Sequence, residues 1–219
     1  MIDTVIFDMD GVLIDSEPIH WKVNQDYFRS IGAPIPDEEY SDRFVGLPLD
    51  KMLEHIKETR GIERSVGEMF TESMENHLDA FSKADLVAVP GISELIQALK
   101  DKGMNLAVGS SLASKLIEII LDKIGLREYF THTVSGFEVE NGKPSPDIFL
   151  EVASRFNADP GRCLVIEDSA LGVQAAKRAN MKVVGVLNST SGNQNLSQAD
   201  LIIHGFTEEH REKILALLA

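Results

Sequence analysis

The chain has 219 residues, 43% hydrophobic and 26% charged, and no apolar run approaches the ~18 residues of a helix that spans a bilayer, so membrane-spanning helices are not expected. Its 21 basic and 35 acidic residues give a formal net charge of −14, which opposes attraction to nucleic acid and to anionic lipid. Cys163 is the only cysteine, which rules out an intrachain disulfide and a cysteine-rich zinc site. The N-terminus carries no basic segment followed by an apolar run, and a cytoplasmic location is expected.

The first strand candidate is "TVIFDMD" (4 to 10), which ends on Asp8 and Asp10 ahead of Gly11. Residues 16 to 85 then hold only helical periods: one through Trp21, Tyr27 and Phe28, one in "LDKMLEHIKETRG", one in "SVGEMFTESMENHLDAF". Residues 15 to 85 carry 16 acids and 8 bases, as a solvated module of its own would. The expected organisation is therefore a core of residues 1 to 14 and 86 to 219 around a helical insertion at 15 to 85, with joints near Ile14 to Pro18 and Ala84 to Pro90.

From residue 91 helices and strands largely alternate. Ile92, Leu95, Ile96 and Leu99 mark a helix between Pro90 and Gly103, and "MNLAVGSS" (104 to 111) and "HTVSG" (132 to 136) read as strands. Ile148, Phe149, Val152, Ala153 and Phe156 form the stripe of a further helix. "CLVIEDS" (163 to 169), the small-residue helix "SALGVQAAKRAN", "KVVGVL" (182 to 187) and "DLIIH" (200 to 204) complete the series. "NSTSGNQNLSQ" (188 to 198) reads as a mobile polar loop. Several strands are continuously apolar, which fits a parallel sheet covered on both faces, and the fold class is α/β, a doubly wound parallel sheet.

Ligands of such sheets bind beyond the carboxyl ends of the strands. That edge would collect Asp8 and Asp10, Ser110 and Ser111, and Glu167 and Asp168, with Lys143 delivered by the turn "NGKPSPD". Each alone has an ordinary explanation, since Asp-Gly makes turns and serines cap helices. Together, clustered carboxylates repel and call for a cation. Oxygen ligands with no histidine or cysteine favour Mg²⁺ over Zn²⁺, and a divalent ion beside an ammonium and a hydroxyl suits phosphoryl chemistry.

"FDMDGVLIDSE", "GSS", "GKPSPDIF" and "VIEDSALGVQAA" resemble the four ordered motifs of the haloacid dehalogenase superfamily, in particular the phosphatases and mutases close to β-phosphoglucomutase. The resemblance runs over nearly the whole chain and implies a Rossmann-like core with an inserted α-helical cap. It implies that Asp8 attacks phosphorus and that Asp10 protonates the leaving oxygen, then activates water. It implies Asp8, Asp10 through its carbonyl, and Asp168 as metal ligands, with Glu167 as a ligand or support. Ser110 would hold a phosphoryl oxygen, Ser111 would be an adjacent donor, and Lys143 would steady nucleophile and phosphate. The second aspartate argues against dehalogenation, whose enzymes in this superfamily typically lack it.

In the cap, the resemblance points to Glu17, His20 and Gly46 as substrate-binding positions. Mutases of this group carry an arginine a few positions past that glycine; here Leu49 takes its place in "RFVGLPLDK", and flanking Arg43 and Lys51 read as solvated. The expected function is an Mg²⁺-dependent phosphatase of small phosphate monoesters, sugar phosphates foremost, working through an aspartyl phosphate. The expected partner is a small phosphorylated metabolite, without nucleic acid or membrane, and the chain is expected to act as a monomer. The alternatives are a β-phosphoglucomutase-type sugar phosphomutase and a noncatalytic phosphometabolite-binding protein.

Overall fold

The computed structural model describes residues 1–219. They divide into two units, Met1–Asp15 with Leu86–Ala219, and Ser16–Asp85.

The first unit is built on strands whose central members are buried from end to end. Strand β1 (Thr4–Phe7) has all four residues buried, as do all five of the strand Cys163–Glu167. The chain adds β2 (Asn105–Ser110) and β3 (His132–Ser135) on one side of β1, then returns to its other side with β4 (Cys163–Glu167), β5 (Lys182–Val186) and β6 (Leu201–Ile203). The order is β3-β2-β1-β4-β5-β6 and every pairing is parallel. The winding direction therefore reverses between β1 and β4, where Phe7 stands opposite Ile166. That reversal opens the crevice in which doubly wound sheets hold ligands.

Helices α5 (Ile92–Asp101), α6 (Ser114–Lys123), α7 (Asp147–Arg155), α8 (Ala170–Arg178) and α9 (Glu208–Ala216) complete this unit, numbered after the four helices of the other. Side chains alternate across a strand, so Ile6, Ala107, Val165 and Val183 share a face, and they form one core with Ile148, Phe149 and Val152 of α7 and Val173 and Ala176 of α8. Val5, Phe7, Leu106, Val108 and Leu164 lie on the other face and are equally buried. Each such side chain stabilises the fold by roughly 1.5–3 kcal/mol relative to exposure. This two-sided burial fixes the strand register, and with it the level at which the strand ends present their polar residues.

The second unit contains α1 (Glu17–Ser30), α2 (Asp37–Arg43), α3 (Leu49–Arg60) and α4 (Val66–Lys83). Phe28, Leu53, Ile56 and Met69 are fully buried at its centre. A capping box, Ser65 with Glu68, starts α4. Two expectations need correction. The sequence shows three helical periods here, whereas α2 is a fourth helix whose only buried residue is Tyr40, too few to leave an apolar period. Trp21 does not share the burial of Tyr27 and Phe28; it is 40% exposed, because burial along α1 begins at Val23.

Candidate active site

The site begins where β1 ends. Asp8 N–H still donates to Ile166 O at 2.9 Å, so Asp8 continues the ladder beside β4 for one residue. The chain then turns: Leu13 and Ile14 N–H both reach Met9 O, at 2.9 and 3.2 Å, and Gly11 N–H donates to Ile14 O at 2.8 Å. Gly11 adopts φ +69°, and a Cβ there would overlap the Asp168 carboxylate. Glycine is required on both counts, for the left-handed backbone and for the approach of Asp168. Asp8 is buried by the turn, while Asp10, two residues on, is half-buried.

Lys143 reaches this point from the segment before α7. Its Nζ lies 2.8 Å from Asp8 Oδ1, 2.6 Å from Glu167 Oε1 and 5.1 Å from the centroid of the Phe149 ring. Glu167 is fully buried, and its other oxygen accepts from Ser169 N at 2.7 Å and Ser169 Oγ at 2.9 Å. Ser169 also caps α8, accepting from Gly172 N at 3.0 Å. Asp168 accepts a hydrogen bond from Ser191 Oγ.

Carboxylate oxygens of Asp8, Glu167 and Asp168 lie within 4.8 Å of one another. Burial is the main force on them: it pushes the Asp8 carboxyl up to about 7 against the opposing pull of Lys143, with Glu167 and Asp10 adding to the rise. Burial, then Glu167 and Asp8, raise Asp168 well above the usual carboxylate range, with Ser191 opposing. Burial works to discharge Lys143, but Asp8 and Glu167 hold its ammonium above the ordinary lysine value. Three buried carboxylates against one ammonium leave negative charge uncompensated. An all-oxygen donor set of this kind fits a hard divalent cation, which would relieve that excess.

Ser110, the last residue of β2, is fully buried, and its oxygen accepts from Leu112 N at 3.1 Å, so its proton remains to be donated. Opposite it in register, Ser135 donates to Leu112 O at 2.6 Å and steadies the same turn. Ser111 is exposed. Glu17, His20 and Gly46 belong to the second unit. Glu17 is the first residue of α1; the His20 ring lies 5.2 Å from that of His77 and 5.1 Å from that of Phe81. Gly46 is exposed at φ +76° in the loop between α2 and α3.

The structure thus gathers Asp8, Lys143, Glu167 and Asp168 around one point. It also brings in residues that the sequence does not flag. Ser169 could have been noticed as an N-cap after the acidic pair, and Gly172 as a glycine inside a helix. Ser191 and Asn188 lie in the segment expected to be mobile. That segment makes hydrogen bonds to its surroundings: Asn188 Nδ2 donates to Gly11 O at 3.2 Å, Thr190 Oγ1 to Asp15 Oδ1 at 2.8 Å, and Gln194 Oε1 accepts from Ala170 N at 2.9 Å.

A family model described as haloacid dehalogenase-like hydrolase matches residues 5–186. The phosphorylated carbohydrates phosphatase of Thermotoga maritima is 34% identical over 202 residues, 92% of this chain and 93% of that one. The β-phosphoglucomutase of Bacillus subtilis is 30% identical over 207 residues, covering 91% and 88%. The crystal structure of CbbY from Rhodobacter sphaeroides in complex with phosphate superposes with a TM-score of 0.85 over 95% of this chain and 96% of that one; at 24% identity it speaks for the fold.

Proposed function

We propose, from the premise that the chain belongs to the haloacid dehalogenase-like hydrolase family, that it is an Mg²⁺-dependent phosphatase of small phosphate monoesters, with sugar phosphates as the substrate class. The chain is a phosphoric monoester hydrolase on the strength of that family and its phosphatase relatives. The observation that carries the reading is the cluster of Asp8, Lys143, Glu167 and Asp168 at the β1/β4 reversal.

Asp8, Asp168 and the Asp10 carbonyl would hold the cation, with Glu167 in support, since both Glu167 oxygens already have donors in Lys143 and Ser169. When bound, the cation supplies positive charge against the phosphoryl oxygens. Lys143 takes Asp8 Oδ1 and leaves Oδ2 to bond phosphorus as the bond to the leaving oxygen breaks. Asp10 gives its proton to that oxygen. It then takes one from a water whose oxygen bonds phosphorus, freeing Asp8 and inorganic phosphate. Ser110 donates its hydroxyl proton to a phosphoryl oxygen, Lys143 offers the same oxygens its charge, and Ser111 is an adjacent donor. Glu17, His20 and Gly46 are assigned to substrate selection, within a helical cap.

A sugar phosphomutase is the second reading, favoured by the 30% identity to the Bacillus subtilis enzyme. It would need a cation for a second phosphate, and Leu49 offers none. Lys51 is paired at 2.9 Å with Glu54 of its own helix. Inorganic phosphate release from hexose, pentose, polyol and nucleoside monophosphates, with Mg²⁺ and with chelator, tests the proposal. Metal-dependent release from sugar phosphates is expected. Isomerisation of a hexose 1-phosphate without release would favour the mutase, and turnover undiminished by chelator would refute the metal requirement.

A further inference from the structure

We infer that Ser191 is a positioning residue for the cation, and that the loop from Asn188 to Gln194 is part of the active site rather than a tether between strands; this rests on the reading that Asp168 is a metal ligand. Each of the three buried carboxylates is fixed by a polar partner. Lys143 fixes Asp8, Lys143 and Ser169 fix Glu167, and all of these come from the motifs around the strand ends. Asp168 is fixed by Ser191, which comes from outside them, after β5.

The loop is built to hold that hydroxyl in place. Asn188 Oδ1 accepts from Thr190 N at 3.0 Å, which sets the first turn. Gln194 Nε2 donates to Ser191 O at 3.1 Å while its Oε1 accepts from Ala170 N in the first turn of α8, so the Ser191 backbone is braced against the helix that follows Asp168. Asn188 Nδ2 holds the Gly11 carbonyl, one residue past Asp10. Leu196, 3% exposed, anchors the far end of the loop in the core. Gly11, Asp168 and Ser191 meet at one spot: the space a Cβ of Gly11 would fill is taken by the Asp168 carboxylate, and Ser191 Oγ lies 3.0 Å from that Cβ position.

A ligating carboxylate whose second oxygen is held by a donor keeps one orientation and need not be ordered by the ion itself. Ser191 takes Oδ2 of Asp168 and leaves Oδ1 to face a cation. Without the hydroxyl, Asp168 gains rotational freedom that binding must remove, and the ion is held less tightly.

The test uses the full chain and Mg²⁺ alone, with affinity read from the dependence of the thermal midpoint on Mg²⁺ concentration. Ser191→Ala is expected to weaken Mg²⁺ binding by about tenfold or more. Ser191→Thr, which keeps the hydroxyl, is expected to restore affinity to near wild type. Asn188→Ala keeps Ser191 but frees its loop from Gly11, and should weaken binding as well. Equal Mg²⁺ affinity in wild type and Ser191→Ala, measured on proteins with the same metal-free midpoint, would overturn the inference and leave the phosphatase reading standing. A wild-type protein whose midpoint ignores Mg²⁺ would overturn both.

Discussion

Lys143 Nζ stands 2.8 Å from Asp8 Oδ1, and both side chains are more than nine-tenths withdrawn from solvent, at 7% and 9% exposure. A second carboxylate, Glu167, shares the same ammonium at 2.6 Å and is fully buried. Removing the cation of a buried ionic set leaves its carboxylates either charged without a partner or forced to take up protons, at a cost of about 3–5 kcal/mol. Lys143→Met should therefore lose stability of that order in urea denaturation at neutral pH with chelator present. Part of the loss should return in Lys143→Met with Glu167→Gln, where one orphaned charge is gone. Equal stability of wild type and Lys143→Met would mean that the ion pair contributes nothing net.

Asp8→Asn separates chemistry from folding. The amide is nearly isosteric, and its oxygen can still accept from Lys143, while one of the crowded negative charges disappears. Phosphate release should fall at least about a thousandfold, as expected when a nucleophile is removed. Far-UV circular dichroism and the thermal midpoint should be retained. Turnover near the wild-type rate would remove Asp8 from its assigned role.

Gly172 offers a test of sign. Alanine inside a helix outranks glycine by about 1 kcal/mol, so propensity alone predicts that Gly172→Ala stabilises α8. A Cβ at Gly172, however, would overlap the Glu167 carboxylate, which cannot retreat without breaking its bonds to Lys143 and Ser169. Net destabilisation of about 1–3 kcal/mol is expected, with reduced turnover. Gly67→Ala on α4 is the control: nothing lies within 4 Å of its Cβ, and it should be neutral or stabilising by up to about 1 kcal/mol. Stabilisation at both positions would show that Glu167 is not held as described.

The strands were legible because parallel strands buried on both faces leave runs such as "CLVIE" and "KVVGV", which little else in the chain imitates. Their ends were less so: β1 stops at Phe7, where the sequence suggests continuation to Asp10, because the turn that buries Asp8 is set by Gly11 and not by any apolar pattern. Helix α2 was hidden because one buried tyrosine makes no period. In the site, Asp8, Glu167 and Asp168 could be anticipated as polar residues beside strand ends, and Lys143 as the cation of the turn ahead of α7. The supports from the loop after β5 could not. Asn188 and Gly11 are 177 positions apart, and a polar loop reads the same whether its side chains meet water or a carbonyl. Nor could the sequence foresee that both oxygens of Glu167 are engaged by Lys143 and Ser169.

Asp200 supplies a pH dependence away from the site. Burial works to raise its carboxyl, but Lys177, at 3.0 and 2.9 Å, and the Val183 N–H, at 2.7 Å, outweigh burial and hold it below the usual range. The Asp200 N–H donates in turn to Val183 O at 2.8 Å, so this residue secures the entry to β6 against β5. A carboxyl depressed in the folded state stabilises fully above its unfolded value, near 3.8, and the contribution is lost as pH falls through the lower folded value. Asp200→Asn should thus cost about 1 kcal/mol at neutral pH, the scale of a charge-assisted hydrogen bond in a partly exposed pair. The gap between the two proteins should hold steady down to about pH 4 and close below it, because protonated Asp200 loses the same interaction that the amide lacks. Urea denaturation of both proteins across that range checks the sign: a gap that widens on acidification would mean that the carboxylate is not stabilised by folding.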